Sequence, residues 1–252
     1  MKLPGVCLFI CLLVMTVDVR ADGHQGMKLV PEGEFNMPAM KEKAPRKVKA
    51  FWMDEHAVTN QEFLIFTESH PEWKKSQVKK IFADKNYLEY WHRDNDFGIG
   101  NFKNAPVVEV SWFAARAYCD SLQKRLPTIE EWEYVGTIPF KKGGSIQSLI
   151  LEWYGETARW PLRPVMQGSP NLFGLYDLHG VIWEWVEDFN SSLVTGESRA
   201  DSALDKNLYC GSGAVGMDPS DYAAFMRYAF RSSLQAKYTV QNLGFRCVKD
   251  KE

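Results

Sequence analysis

The sequence has no excess of charge of either sign and no internal repeat. Its 30 lysines and arginines are nearly balanced by 32 aspartates and glutamates. A nucleic-acid-binding domain needs a basic surface, so this balance argues against a nucleic-acid partner. Hydrophobic residues make up 45% of the chain and charged residues 25%, a composition that excludes disordered and collagen-like proteins. The lack of a fixed-period repeat excludes a solenoid, so we expect a globular protein.

A long apolar run occurs once, at residues 3–17. Lys2 precedes the run, and small residues occupy the −3 and −1 positions of a cleavage site after Ala21, as in a secretory signal peptide. The run is shorter than the roughly 20 apolar residues that span a bilayer. We therefore predict a signal peptide at residues 1–21. The remaining chain, residues 22–252, is expected to be secreted or periplasmic, with no membrane span after cleavage.

Cysteine is scarce, with five in the chain and two of them inside the predicted signal peptide. The others, Cys119, Cys210 and Cys247, are too far apart in sequence to form a zinc site. Because an exported protein meets an oxidising environment, one disulfide and one spare thiol are expected. The residues alone leave the pairing open.

Local sequence patterns predict helices early in the chain and short strands with loops after residue 137. Alternating or continuous apolar runs predict strands at residues 28–35, 47–54, 105–111, 174–187, 227–232 and 243–248. Capping signals predict helices after Thr59, Ser111 and Thr128, and a further helix is expected around residues 74–82. Helices and strands that do not alternate indicate an α+β fold, and no linker divides the chain.

Asp177 and Glu184 bracket a glycine turn and lie seven residues apart. Their carboxylates, together with the intervening carbonyl groups, could supply the oxygen ligands that calcium prefers. The alternative is a strand whose acids face solvent while Trp183 and Trp185 fill the core. Spacing alone does not decide between the two interpretations.

Five stretches of the sequence resemble the formylglycine-generating enzyme family, also called sulfatase-modifying factors. The stretches are KLVPEGEF (28–35), DEHAVTNQEF (54–63), PVVEVSWFAARAYCDSLQKRLPTIEEWEY (106–134), NLFGLYDLHGVIWEWVED (171–188) and NLGFRCV (242–248). They follow the order of the family and cover nearly all of residues 22–252. The resemblance implies a single domain with a C-type-lectin-like fold and little regular secondary structure.

The resemblance also implies a disulfide and a metal site. The family joins its AYC helix to its GFRC strand through cysteines that correspond here to Cys119 and Cys247, which leaves Cys210 as the spare thiol. A family calcium site corresponds to Asp177, Gly180, Ile182 and Glu184, so one Ca²⁺ ion is expected. A second family calcium site corresponds to Thr157 and Arg159 and is expected to be absent.

The catalytic cysteines of the family are missing. The enzymes bind Cu(I) through two cysteines upstream of an RxxxR motif, which is Arg227 to Arg231 here. The two positions fall on Asp218 and Ala223, and residues 211–231 contain no cysteine. Soft thiolates hold Cu(I), and a single carboxylate does not replace two of them. We therefore expect no copper site, no catalytic residue of the family and no formylglycine-generating activity.

These expectations favour an accessory protein over an oxidase. The stretches LDKNLYCGSG and DYAAFMRYAFRSSL resemble an exported branch of the family associated with copper-containing nitrite reductase. We expect a binding or maturation factor for a periplasmic copper or respiratory enzyme, which holds a peptide or protein partner in the former substrate groove. Three alternatives stay open: a metalloenzyme with relocated iron or copper ligands, a residual sulfatase-modifying oxidase, and a lectin-like receptor. The expected groove residues are Trp183, Ser212, Tyr222 and Arg227, with Cys210 as a possible functional thiol.

Overall fold

Five helices and seven short strands form the regular part of the described chain. The computed structural model describes residues 24–38, 44–98, 102–155, 162–190 and 221–252. The helices are α1 (Asn60–Ser69), α2 (Trp112–Ser121), α3 (Ile129–Gly136), α4 (Ile146–Gly155) and α5 (Tyr222–Ser233). The strands are β1 (Met27–Val30), β2 (Gly33–Asn36), β3 (Pro45–Val48), β4 (Phe51–Asp54), β5 (Trp183–Glu184), β6 (Leu243–Gly244) and β7 (Val248–Asp250). The expected α+β class is confirmed.

The largest sheet joins two strands from early in the chain to one from late in the chain. Its order is β1-β4-β7, and both pairings are antiparallel. Phe51 and Met53 of β4 are buried while Trp52 and Asp54 are only partly covered, as the two-residue period of a strand requires. The strands β2 and β3 form an antiparallel pair, and β5 and β6 form a parallel pair.

Helices α1 and α3 begin at the capping boxes that the sequence predicts. Thr59 accepts a hydrogen bond from the Glu62 amide, and the Glu62 carboxylate accepts one from the Thr59 amide. Thr128 and Glu131 do the same at the start of α3. Each box satisfies amides that a helix leaves without partners in its first turn. The predicted starts of both helices are confirmed.

Helices α1 and α2 cover an aromatic core. The ring of Phe63 in α1 lies 6.0 Å from that of Tyr118 in α2, 6.3 Å from Trp91 and 6.2 Å from Phe245. Cys119, also in α2, forms a disulfide with Cys247, and both residues are fully buried. The bond therefore links α2 covalently to the segment that leads into β7.

Two predictions for the later part of the chain were wrong, because helices α4 and α5 lie where loop and strand were expected. The predicted strand at residues 227–232 lies inside α5. The buried face of this helix consists of residues at a spacing that suits 3.6 residues per turn, namely Ala223, Ala224, Arg227, Tyr228 and Arg231. Two of these five residues are charged, so the buried face does not read as an apolar stripe in the sequence.

The predicted helix around residues 74–82 was also wrong, since this segment consists of turns. The Asp94 carboxylate accepts hydrogen bonds from the amide and the hydroxyl of Ser76, which holds the chain in a non-helical path. Residues 105–111 form an isolated bridge from Pro106 to Thr59 rather than a strand. The predicted strands 28–35, 47–54, 174–187 and 243–248 each overlap at least one shorter strand.

Within the described ranges, no helix has both the length and the apolarity needed to cross a membrane.

Candidate functional site

A buried ionic cluster joins α3 to α5. The Glu133 carboxylate accepts hydrogen bonds from Arg227 Nε and Nη2 at 3.1 and 2.7 Å, and from Arg231 Nη1 at 2.5 Å. All three side chains are almost completely buried. Both guanidinium groups also lie over the Trp132 ring, at 5.8 and 4.7 Å from its centre. The cluster fixes α5 against α3.

The charge state of this cluster follows from its burial. Burial alone would raise the pKa of the Glu133 carboxyl, but attraction to Arg227 and Arg231 outweighs burial and lowers the pKa to about 2. Burial lowers the pKa of His179 to about 4, and the charge of Arg227 adds to that shift. Near neutral pH, Glu133 is therefore ionised, His179 is neutral and the two arginines leave one positive charge in excess.

An aromatic layer lies beside the cluster, between α4, α5 and β5. The ring of Trp183 is 4.6 Å from Phe230, 5.3 Å from Tyr154 and 5.1 Å from Trp153. The Tyr154 hydroxyl donates a hydrogen bond to the Ala223 carbonyl group in the first turn of α5. Trp183 is half-buried. It was predicted to line an open groove, and in the structure these aromatic rings cover part of its side chain.

The other predicted groove residues differ in exposure. Tyr222, at the start of α5, is 51% exposed. Arg227 is only 5% exposed and its guanidinium is bound to Glu133, so it does not line an exposed surface. Ser212, Cys210 and Asp218 lie outside the described residues, as do Thr157 and Arg159.

The side chain at position 223 shows whether this chain offers a ligand to the copper ion that the family resemblance implies. Ala223 is 2% exposed and its side chain is a methyl group, which offers no donor to a metal. A pair of soft thiolates holds Cu(I) tightly, and residues 211–231 contain no cysteine to supply one. The residues at this position do not fit copper. Among the described residues, no group of three or more His, Cys, Asp and Glu side chains is arranged to hold a metal ion.

The residues of the predicted calcium cage have protein partners. Asp177 accepts hydrogen bonds from Arg163 Nη2 at 2.9 Å and from the Met166 amide at 2.5 Å. Glu184 accepts two hydrogen bonds at Oε1 and one at Oε2 from the Arg246 guanidinium, and a further one at Oε2 from Trp132 Nε1 at 2.8 Å. Donor groups therefore cover all four carboxylate oxygens, and guanidinium groups neutralise both side chains. Calcium binding stays a prediction.

Sequence reasoning missed Glu133, Arg163 and His179. One signal for Glu133 was available, because it follows Ile129 by one helical turn and so shares the buried face of α3. Arg231 was considered only as the end of the RxxxR motif from which the positions of the missing cysteines were counted. No local pattern predicts the contact between Arg163 and Asp177, which lie 14 residues apart in loops.

The described fold is that of a domain of the formylglycine-generating-enzyme type. The profile of the sulfatase-modifying factor enzyme 1-like domain matches residues 16–251. The chain belongs to this family, as its sequence motifs indicate.

Related proteins agree with this assignment. The formylglycine-generating enzyme of Streptomyces coelicolor is 28% identical over 288 residues, covering 92% of this chain and 91% of the relative. That of Bos taurus is 27% identical over 284 residues, covering 88% and 74%. The Bos taurus protein named inactive C-alpha-formylglycine-generating enzyme 2 is 31% identical over 173 residues, covering 60% and 52%.

Solved structures support the fold. PvdO from Pseudomonas aeruginosa has a TM-score of 0.52 and 20% identity, covering 89% of this chain and 94% of that one. Treponema denticola variable protein 1 has a TM-score of 0.52 and 19% identity, covering 89% and 95%. At these identities the similarity concerns the fold alone.

Proposed function

We propose that this chain is a non-oxidase member of its family that binds a protein or peptide partner as an accessory or maturation factor. The observation that carries the proposal is Ala223, a buried methyl group at one of the two positions where the family places a copper-binding cysteine. The other position is Asp218, whose hard carboxylate oxygen is a poor ligand for Cu(I). Without copper ligands, the oxidation of a substrate cysteine has no catalyst.

The framework around that position is nevertheless intact. Glu133 holds Arg227 and Arg231 of α5, and Trp183 packs between α4 and α5. Binding needs such a rigid surface even where chemistry has been lost. The Bos taurus relative whose name calls it inactive supports the same view, since a family member can lack the activity.

The exposed edge of this framework suits a partner with apolar and acceptor groups. Tyr222 and Leu151 are 51% and 41% exposed at the outer edges of α5 and α4. The ionic cluster of Glu133, Arg227 and Arg231 behind this edge has one positive charge in excess. A partner segment with an aromatic or aliphatic anchor and a carbonyl or carboxylate group would complement both features.

The apolar run at residues 3–17 supports export, and we propose a periplasmic site of action. The resemblance of residues 204–213 and 221–234 to the exported accessory branch supports a periplasmic copper or respiratory enzyme as the partner.

The first experiment tests the loss of oxidase activity. The purified chain is mixed with Cu(I) and a cysteine-containing sulfatase peptide under air, and formylglycine is sought by mass spectrometry. We expect no product, while the Streptomyces coelicolor relative converts the peptide in parallel. The double variant Asp218→Cys/Ala223→Cys should gain Cu(I) binding in competition with a chromogenic chelator. Turnover by the unmodified chain would overturn the proposal.

The second experiment tests partner binding. A photo-crosslinking amino acid is placed at Tyr222 in the native cell, and at Ile81, which is 70% exposed outside α4 and α5, as the matched control. We expect one defined segment of one exported protein to be crosslinked from position 222 and not from position 81. The same products from both positions, or none from either, would contradict a partner site at this edge.

A further inference from the structure

We propose that Arg163 and Arg246 neutralise the carboxylates of residues 177–184, so that this loop folds without the calcium ion that the family resemblance implies. The inference is independent of the proposed function, because it concerns what stabilises the loop and not what the protein binds. The supporting geometry is the contact of Arg163 with Asp177 and the contacts of Arg246 with Glu184 and the Tyr176 carbonyl group.

Arg163 occupies one end of the loop. The Asp177 side chain is 2% exposed, and Arg163 Nη2 lies 2.9 Å from its Oδ1 atom. The backbone amide of Met166 donates to Oδ2 at 2.5 Å. One positive charge and one neutral donor therefore satisfy both oxygens of this carboxylate, and the charge comes from the chain itself.

Arg246 connects the two ends of the loop. Its Nη2 atom donates to Glu184 Oε1 at 2.8 Å and to the Tyr176 carbonyl oxygen at 2.9 Å. Tyr176 precedes Asp177, and Glu184 closes the loop, so one guanidinium group spans the segment. The side chains of Arg246 and Glu184 are both fully buried. A bridge between a carbonyl oxygen and a carboxylate is the link that a bound cation would otherwise provide.

Charge balance opposes an additional cation. The two carboxylates and two guanidinium groups sum to zero, so a calcium ion would leave two uncompensated positive charges beside buried groups. Calcium also requires six to eight oxygen ligands, and both carboxylates already accept hydrogen bonds at every oxygen. Binding would have to displace Arg163 or Arg246 from its partner.

The decisive test measures calcium and stability together on the unmodified chain. The protein is dialysed against a chelator and then against calcium, its calcium content is determined by elemental analysis, and its Tm is recorded in both states. We expect calcium well below one ion per chain and the same Tm in both states. One calcium per chain, with a Tm that falls on chelation, would overturn the proposal.

The variant Arg163→Ala tests whether calcium can replace the guanidinium group at Asp177. Removing the guanidinium frees Asp177 Oδ1, and calcium can then neutralise it. We expect a lower Tm than that of the unmodified chain in chelator, and a rise of roughly 5 °C when calcium is added. The double variant Arg163→Ala/Asp177→Asn should lose the rise. Arg46→Ala is the matched control, since it removes a half-exposed arginine 3.5 Å from Glu130 and should show no response to calcium.

Two results with the Arg163 variants would contradict the inference. If Arg163→Ala folds and gains no response to calcium, Arg163 does not take the place of a cation and the inference fails. If Arg163→Ala does not fold, Arg163→Gln keeps a hydrogen-bond donor for Asp177 without the charge. The calcium response is then expected in that variant, and its absence counts against the inference in the same way.

Discussion

Two regions of this molecule are stabilised by different interactions. The apolar region consists of the β1-β4-β7 sheet with helices α1 and α2, where aromatic rings meet around Phe63 and a disulfide joins Cys119 to Cys247. The ionic region consists of α3, α5 and residues 177–184, where Glu133 and Glu184 are buried with arginine partners. Apolar contacts are lost in proportion to the area removed, whereas a buried carboxylate that loses its partner leaves an uncompensated charge. Single substitutions should therefore act most strongly in the ionic region.

The largest effect is expected from Glu133→Gln. The substitution leaves the guanidinium groups of Arg227 and Arg231 buried without a counter-charge, and we expect the free energy of unfolding to fall by about 4 kcal/mol. Urea unfolding measures this loss. Glu130→Gln, which removes a half-exposed carboxylate of the same helix, should change stability by less than about 0.5 kcal/mol.

A second substitution tests whether uncompensated positive charge causes this loss of stability. Adding Arg231→Met to Glu133→Gln removes one of the two uncompensated charges and should restore part of the stability. If Glu133→Gln costs no more than Glu130→Gln, the ionic region does not depend on mutual neutralisation and the comparison between the regions fails.

The next effect belongs to the apolar region. The double variant Cys119→Ala/Cys247→Ala removes a crosslink between residues 128 positions apart, and we expect a loss of about 3 kcal/mol, because the unfolded chain gains conformational freedom. Urea unfolding with and without a reductant measures it. The unmodified chain in reductant should match the variant, whereas a reductant that leaves its unfolding midpoint unchanged would show that the disulfide contributes little.

The smallest expected effect is a pH dependence of stability that arises from His179 in the ionic region. Because the pKa of His179 falls from 6.5 to about 4 in the folded state, the unfolded chain binds one more proton between these values. Stability from this group is complete above pH 6.5 and is lost as the pH falls towards 4. Between pH 7 and pH 5 we expect a loss of about 2 kcal/mol. His179→Asn should flatten this part of the profile in urea unfolding, and an unchanged slope would exclude His179 as its source.

The sequence predicted the elements whose signals are local. The Thr59 and Thr128 capping boxes identify the starts of α1 and α3, and the alternation in β4 identifies its buried face. The family motifs led to the correct family. These features are predictable because each is a contact between residues that lie close together in the chain.

The missed features depend on contacts between distant segments. The buried face of α5 contains Arg227 and Arg231, and only the presence of Glu133, nearly 100 residues earlier, makes their burial favourable. Likewise, the spacing of Asp177 and Glu184 suggested metal ligands, and the arginines that cover them come from other segments of the chain. A carboxylate pair in sequence does not reveal which cation, metal or side chain, will neutralise it.

Residues 243–250 connect both regions within a few consecutive positions. Phe245 packs on Phe63, Arg246 pairs with Glu184, Cys247 bonds to Cys119, and β7 completes the sheet. A ribosome synthesises these residues after almost everything they contact. Until they emerge, the nascent chain exposes an unfinished aromatic core and a carboxylate without its partner, which are features that chaperones bind and that favour aggregation. Folding should therefore wait until residues 243–250 have been synthesised, and proceed slowly because its decisive contacts join segments that lie far apart in the sequence.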